Sequence, residues 1–521
     1  MSETKLAKKS LFIKFLDWVE VVGNKLPHPA LLFGILAIIT MLVSHVMYLS
    51  EVFVTYQRFN SATNEATDIT VYATSLLTRD GIAWMFSRAV ANYTGFAPLG
   101  TVLVSMLGIG VAEHVGLISA LLRKVMLGAP KSLVTLIIVF AGILSSIASD
   151  VGYLVIIPLG AAIFYAIGRH PLAGLAAAFF GVSGGYTANI VLTPIDILLA
   201  GISQEAARMI DPAATVLPTS NFYIFFVSTF LLSATGYFIT EKIIIPKLGP
   251  YHKESGEMID AGIATDLSAA EKKGLKFAGI FFLVFLAGIL ALLLPPSAPL
   301  RNADTGSIVV GSPFIAGFVA IIMLSFIIPS IGFGIGAGTI KSSKDVIKGM
   351  VHAMSSMGTY MVMAFFASQF ISFFSYSQLG VILSVSGANF LKSVGLTGVP
   401  LILAFIAVCA FINLFLGSSS AKWVIMAPIF IPMFMQLGYS PAFTQAVYRI
   451  GETPTNLITP LMSYFALVVV FAEKYDKKTG IGTIISLMLP YSIIALIVWA
   501  IQMVVWYLLG LPLGLGGAIT L

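Results

Sequence analysis

Apolar residues run along this chain in blocks of about 20, closed by short polar or Gly/Pro-rich stretches, and that pattern predicts membrane-crossing helices. Full crossings fall at 30–49, 84–111, 172–200, 221–240, 277–294, 313–331, 350–374, 443–471 and 481–509, nine in all. Two further apolar stretches, 132–168 and 399–437, break in their middles. The breaks are Ser145-Ser146-Ile147-Ala148-Ser149-Asp150 and Gly417-Ser418-Ser419-Ser420-Ala421-Lys422. Each apolar arm is about half to two-thirds of a span, so both stretches read as re-entrant helical hairpins. Broken backbone at membrane depth persists only where protein or trapped water satisfies it. Residues 113–127 read as an amphipathic helix in the membrane interface, with 379–391 as its partner in the second half. An outer loop at 51–80 and an inner loop at 246–274 are expected to carry no chemistry.

The fold class is therefore an all-α polytopic membrane protein: about nine transmembrane helices plus two opposed hairpins, arranged as an inverted repeat. Arg169-His170-Pro171 follows the first hairpin, and Tyr439-Ser440-Pro441 follows the second 270 residues on. Pro158 and Pro428 share that offset, as do Gly181 and Gly451. Asn189-Ile190-Val191-Leu192-Thr193-Pro194 is matched by Asn456-Leu457-Ile458-Thr459-Pro460. Paired broken segments in an inverted repeat point to the binding site of a secondary transporter. The chain divides into a cytoplasmic segment 1–26, a first helix and outer loop 27–83, and a first repeat 84–245. An inner loop with scaffold helices at 246–345, a second repeat 346–472, and an inner loop with the last helix at 473–521 follow.

Composition agrees with a bilayer protein. Hydrophobic residues are 58% of the 521 and charged residues 10%, where soluble domains carry roughly 25% charged. That excludes a soluble enzyme, a disordered chain and a nucleic-acid binder. The single cysteine, Cys409, excludes an intramolecular disulfide and a cysteine metal cluster. No Walker A or HExxH motif is present, and Ser183-Gly184-Gly185 follows no strand. No tightly bound metal and no cofactor are expected. With the N-terminus inside, 21 of the 29 basic residues fall on the cytoplasmic side and the C-terminus is periplasmic.

Charges at membrane depth cost at least ~2.5–3.5 kcal/mol each and usually face a cavity. Here they are Asp150, Asp196, Lys422, Arg449 and Glu452, with Glu113 and His114 near an interface. Asp150, beside its serines, suits a coupling cation or proton, or else caps a helix. Asp196 follows Pro194, whose ring frees a backbone carbonyl; it either binds a cation or proton or makes a structural hydrogen bond. Arg449 and Glu452 are three residues apart, so they either pair within their helix or hold a substrate carboxylate and a proton. Trp423 is a candidate to stack on an aromatic ligand, whereas Trp499 and Trp506 read as interface anchors. Asn413, Asn189, Asn456 and Gln369 are neutral polar candidates or interhelical glue, and Ser419 joins the coupling set. A channel selecting anions through Lys422 and Arg449, and an intramembrane hydrolase using Asp150 and Asp196, remain alternatives to a transporter.

Longer motifs carry a resemblance. Gly23-Asn24-Lys25-Leu26-Pro27-His28-Pro29, Thr94-Gly95-Phe96-Ala97-Pro98-Leu99-Gly100 and Gly168-Arg169-His170-Pro171-Leu172-Ala173-Gly174 begin it. Gly181-Val182-Ser183-Gly184-Gly185-Tyr186, Ser418-Ser419-Ser420-Ala421-Lys422-Trp423 and Tyr448-Arg449-Ile450-Gly451 complete it. Over nearly its whole length the chain resembles the AbgT family of bacterial p-aminobenzoyl-glutamate transporters. The resemblance implies a homodimer of nine-helix subunits in the bacterial inner membrane. It also implies p-aminobenzoyl-glutamate as substrate class, sulfonamide export by some members, and coupling to Na⁺ or H⁺. The family's functional positions fall on Asp196, Ser420, Trp423, Pro441, Arg449, Glu452 and Pro460, with a candidate sodium site at Asp196 and Ser420. Glu452 stands where Asp is expected, Ser146 where Asn is expected, and Asp150 where Glu is expected.

Overall fold

The computed structural model describes residues 27–521, apart from 28, 61–64, 129, 131, 149–151, 252–266, 309–311, 460, 461, 463 and 478. The segment 1–26, Asp150, Pro460 and most of the 246–274 loop lie outside the described residues. Among the described helices, seven are long and apolar enough to cross a membrane, and two further crossings are broken into shorter pieces.

Helix α1 (Pro29–Leu49) leads into an antiparallel ribbon, β1 (Phe53–Asn60) with β2 (Glu65–Tyr72), paired from Phe53 with Tyr72 to Asn60 with Glu65. The crossing expected at 84–111 is instead two helices, α2 (Arg79–Thr94) and α3 (Ala97–His114). Pro98, in the first turn of α3, cannot donate to the turn before it, so one continuous helix is not available. The expected interfacial helix is α4 (Leu117–Leu127), entered through left-handed Gly116 (φ 87°).

The first hairpin is α5 (Val134–Leu144), a tight turn at Ser145–Ala148, a wide turn at Gly152–Ile156, and α6 (Ile157–Ala166). The first broken crossing is α7 (Pro171–Phe179), which unwinds over Phe180–Gly184, and α8 (Pro194–Ala207). Helix α9 (Phe222–Ile239) closes this half. The scaffold pair α10 (Ala269–Ala291) and α11 (Phe318–Ala337) follows. Helix α10 starts eight residues before the predicted span because Ser268 and Glu271 form a capping box there.

The second half repeats this order: α12 (Ser343–Ser356), α13 (Gly358–Tyr376) and α14 (Leu379–Ser393), the last entered through left-handed Gln378 (φ 60°). The second hairpin is α15 (Gly398–Asn413) and α16 (Ser419–Gln436); its second arm is longer than the sequence suggested. The second broken crossing is α17 (Pro441–Glu452), a tight helical turn at Thr453–Ile458, and α18 (Phe465–Glu473). Helix α19 (Ile481–Leu508) is the last crossing.

The residues matched between the halves do matched work. Pro171 and Pro441 both open a broken helix, where a missing N–H costs nothing. Gly181 lets its backbone approach α5: a Cβ there would collide with the Val139 carbonyl and lie 2.9 Å from Gly142 Cα. Gly451 does the same against α15, where a Cβ would sit 2.7 Å from the Ile406 carbonyl and Cys409 Cβ. Asn189 donates to Ser146 Oγ (2.7 Å) at the first hairpin tip. Asn456 accepts from Asn413 (2.8 Å) at the second. Each broken helix is thus fastened to the hairpin that precedes it, and the two breaks touch where Thr187 and Thr453 hydroxyls share a hydrogen bond (2.9 Å).

Candidate substrate site

The site forms where α8, α16 and α17 meet at the breaks. Pro194 starts α8, and Asp196, two residues in, accepts from the Thr193 N–H (2.7 Å) and hydroxyl (2.6 Å) in a capping box. The structural alternative for Asp196 is therefore real, but it is the cap of its own helix. Its other oxygen receives Arg449 Nη2 at 2.6 Å. Arg449 and Glu452 do not pair with each other: Arg449 reaches α8, and Glu452 turns to Lys422 Nζ (2.7 Å). Lys422, Arg449 and Glu452 are each 0% exposed and Asp196 is 7% exposed. Two cations and two acids are thus buried together. Removing any one partner of such a pair leaves an unpaired buried charge, at a cost of about 3–5 kcal/mol.

Arg449 is held on three sides. Nη2 also donates to the Thr187 carbonyl (2.7 Å), at the break of the first repeat. Its guanidinium carbon lies 3.9 Å from the centroid of the Phe225 ring on α9. Phe225 is braced edge-on by Trp499 (6.0 Å, 83°), whose Nε1 donates to Ser228. Trp499 is fully buried, so it is not the interface anchor that the sequence suggested. The pairing of Trp499 with α9 puts it in the core. Arg449 Nε and Nη1 have no hydrogen-bond partner among the described residues.

Trp423 is also buried. Its indole stacks on Tyr448 (4.3 Å, 23°), and Nε1 donates to Ser203 (2.9 Å), which donates on to Gln445 (2.7 Å). One ring face is therefore already covered by protein. Gln445, Arg449 and Glu452 follow the i, i+4, i+7 stripe of α17, while Asp196 and Ser203 are two turns apart on α8. Two rungs, Arg449–Asp196 and Gln445–Ser203, thereby join α17 to α8.

At the tip of the second hairpin, Ser418 caps α16 and lies 3.4 Å from Ser420. Ser419 donates to Glu452, and Tyr448 donates to the Ser419 carbonyl (2.7 Å). Asn413 is a hub. Its amide nitrogen, with two hydrogens, lies 2.8 Å from each of three acceptors, the Glu452 carbonyl, Thr455 Oγ1 and Asn456 Oδ1, and its oxygen accepts from Lys422. Ser418, Ser419 and Ser420 keep some exposure, so the tip is the open edge of the site.

The other candidates sit apart. Pro441 opens α17 eight residues before Arg449, about 12 Å along the helix. No hydrogen bond links Asp196 to Ser420 among the described residues. Gln369 joins α13 to α2 through Asn92 and the Ala89 carbonyl, as interhelical glue. Sequence reasoning missed Phe225, Thr187, Ser203, Gln445 and Tyr448. Of these, only Gln445, one turn before Arg449, and Tyr448, beside it, carried a spacing signal.

The fold that carries this site is that of known transporters. The model of the AbgT putative transporter family matches residues 14–521. The chain belongs to the AbgT transporter family. It is 37% identical over 516 residues to the p-aminobenzoyl-glutamate transport protein of Escherichia coli K12, covering 99% of each chain. The Neisseria gonorrhoeae MtrF structure, described as one of a class of antimetabolite efflux pumps, superposes with TM-score 0.91 at 47% identity, covering 96% of this chain and all of MtrF. The Alcanivorax borkumensis YdaH transporter superposes with TM-score 0.85 at 43% identity, covering 94% and 100%. This AbgT-family member is thus a multi-pass membrane transporter.

Proposed function

We propose that this AbgT-family protein is a secondary active transporter of p-aminobenzoyl-glutamate and related p-aminobenzoate or sulfonamide-like compounds, coupled to a proton or sodium gradient. The observation that carries the reading is Arg449. It is wholly buried, ion-paired to Asp196, and still has two unpartnered donors among the described residues. A guanidinium in that state is prepared to take a carboxylate. Asp196 occupies Arg449 until a proton or cation neutralises it; the substrate carboxylate then takes its place. The Thr193 cap holds Asp196 in position in both states. Trp423, Tyr448 and Phe225 supply aromatic surface for a benzoyl ring. The E. coli relative supports the glutamyl substrate and the gonococcal one supports efflux.

The hairpins and broken helices form the alternating-access elements. Ser420, at the tip of the second hairpin, and Asp196 are the ligands we assign to sodium if sodium is the coupling ion. The protein works as a homodimer in the bacterial inner membrane, N-terminus inside and C-terminus outside, and performs no covalent chemistry. Radiolabelled p-aminobenzoyl-glutamate flux in proteoliposomes, with Na⁺ and pH gradients imposed separately, tests this. Accumulation against a gradient, abolished by collapsing one ion gradient, is expected. Uptake that only equilibrates, or that needs ATP at held gradients, would overturn it.

A further inference from the structure

The Arg449 site accounts for one carboxylate, and Lys422 is left over. We infer that Lys422 is the receptor for a second substrate carboxylate, with Glu452 as the internal acid that the ligand displaces, so that this site selects dicarboxylates over monocarboxylates. The inference rests on the reading of Arg449 as a carboxylate receptor and extends it.

Three observations carry it. First, the hairpin tip has ties besides the Lys422–Glu452 pair. Asn413 already fastens the tip to the second broken helix through three neutral contacts, and Tyr448 fastens Ser419. A buried ion pair is rarely more stabilising than apolar residues of its size, so stability alone does not account for it. Second, the pair repeats the logic of Arg449–Asp196. Each cation is fully buried and faced by one carboxylate, and Arg449 and Glu452 lie one turn apart on the same face of α17. Three residues rise ~4.5 Å along the helix, a reach comparable to that between the α- and γ-carboxylates of a glutamyl group. Third, the pair is linked to the open edge of the site. Glu452 accepts from Ser419, which belongs to the partly exposed serine tip. A carboxylate entering between the tip and α17 meets Ser419 first and Lys422 next. Its charge is balanced by Lys422 once the displaced Glu452 has taken a proton, and the Asn413 oxygen keeps the ammonium in place.

The test is equilibrium competition binding to the full-length protein in nanodiscs. The probes are p-aminobenzoyl-glutamate and its γ-amide, p-aminobenzoyl-glutamine. Wild type is expected to prefer the diacid by about ten- to a hundredfold, the worth of one charge-assisted hydrogen bond. In K422Q/E452Q, which removes both charges together, the preference is expected to fall to near unity. Lys422→Arg is expected to keep it. Equal affinity of wild type for the two probes would overturn the role of Lys422 without touching Arg449, and that measurement needs no variant to fold. A wild-type preference that survives in K422Q/E452Q would overturn it as well. Binding of neither probe by wild type would overturn both this inference and the carboxylate reading beneath it.

Discussion

The Arg449–Asp196 pair makes a quantitative prediction through a double-mutant cycle. Arg449→Gln removes the ion pair, the 2.7 Å bond to the Thr187 carbonyl and the contact over Phe225, and leaves Asp196 charged and buried. Asp196 keeps its Thr193 donors and a helix N-terminus, which lessen the penalty, so the loss belongs at the lower end of the range, about 3 kcal/mol. Asp196→Asn keeps a capping oxygen but leaves Arg449 unneutralised, again at about 3 kcal/mol. The double variant leaves two neutral amides in reach of each other. Its loss should fall short of the sum of the singles by about 3 kcal/mol. Thermal unfolding of the full-length protein in one detergent reads this as two single variants lowered by about 3 °C and a double variant close to either single. Additive losses would refute a direct charge pair at the centre of the site. The same Arg449→Gln variant should lose affinity for p-aminobenzoyl-glutamate about tenfold or more while losing less for a sulfonamide, which lacks the glutamyl carboxylates. Equal losses would refute the carboxylate role.

Three further predictions concern the supports of the site. Gly181→Ala and Gly451→Ala should each lower the melting temperature and cut transport, because a Cβ at either position drives its broken helix off the hairpin it packs on; unchanged melting would refute the matched-glycine reading. Gly517→Val should loosen the C-terminal strap, whose Ile519 carbonyl accepts from Ser440 N (2.9 Å) and whose Leu521 N donates to Gly438 (3.1 Å), since a side chain at 517 collides with Ser220; faster proteolysis of the 511–521 segment checks this. His170 Nδ1 accepts from Leu172 N (3.3 Å) as the cap of α7, and burial, only partly offset by Asp476, pushes its pKa below the ordinary histidine value. Its contribution to stability is therefore full above the unfolded value of about 6.5 and is lost as pH falls through the lowered folded value. Melting curves from pH 8 to 5 should show that loss in wild type and a smaller one in His170→Asn, which keeps a capping acceptor that does not titrate in this range.

How much of this was legible in the sequence depended on the range of the interaction. Both hairpins were read from interrupted apolar runs, because a serine-rich break at membrane depth leaves backbone groups that a simple lipid-facing span could not satisfy. The helix at 117–127 was readable by its amphipathic period, and its partner, expected at 379–391, runs over 379–393. The β1–β2 ribbon was missed although Val54-Thr55-Tyr56 and Ile69-Thr70-Val71-Tyr72 are β-branched and aromatic runs, since such residues do not stand out in an apolar chain. The break at Gly95-Phe96 had its signal in Pro98. The charged residues of the site were identified because charge at depth is rare, but their pairing was not. The spacing of Arg449 and Glu452 suggested one ion pair within a helix, whereas the structure makes two between elements. Phe225 had no signal at all: a phenylalanine in an apolar helix is distinguished only by the guanidinium that tertiary packing places over it.

The pairing has a mechanical consequence that neither charge has alone. Asp196 and the Thr187 carbonyl belong to the first repeat, and Arg449 to the second. Thr187 and Thr453 join the same two breaks, and Ser203 and Gln445 join them one rung further along. Of the charged contacts at the centre, Arg449–Asp196 is the one that crosses between repeats, whereas Lys422–Glu452 stays within the second. Under the proposed mechanism, a proton or cation on Asp196 therefore does two things. It frees Arg449 for a substrate carboxylate, and it removes the strongest polar tie between the repeats. What remains across the interface is the bond from Arg449 to the Thr187 carbonyl, its contact over Phe225, and neutral hydrogen bonds of about 0.5–1.5 kcal/mol each. Coupling ion and substrate then act on the same contact, one by breaking it and the other by replacing it from a single repeat. That gives ion binding a physical route to the relative motion of the repeats.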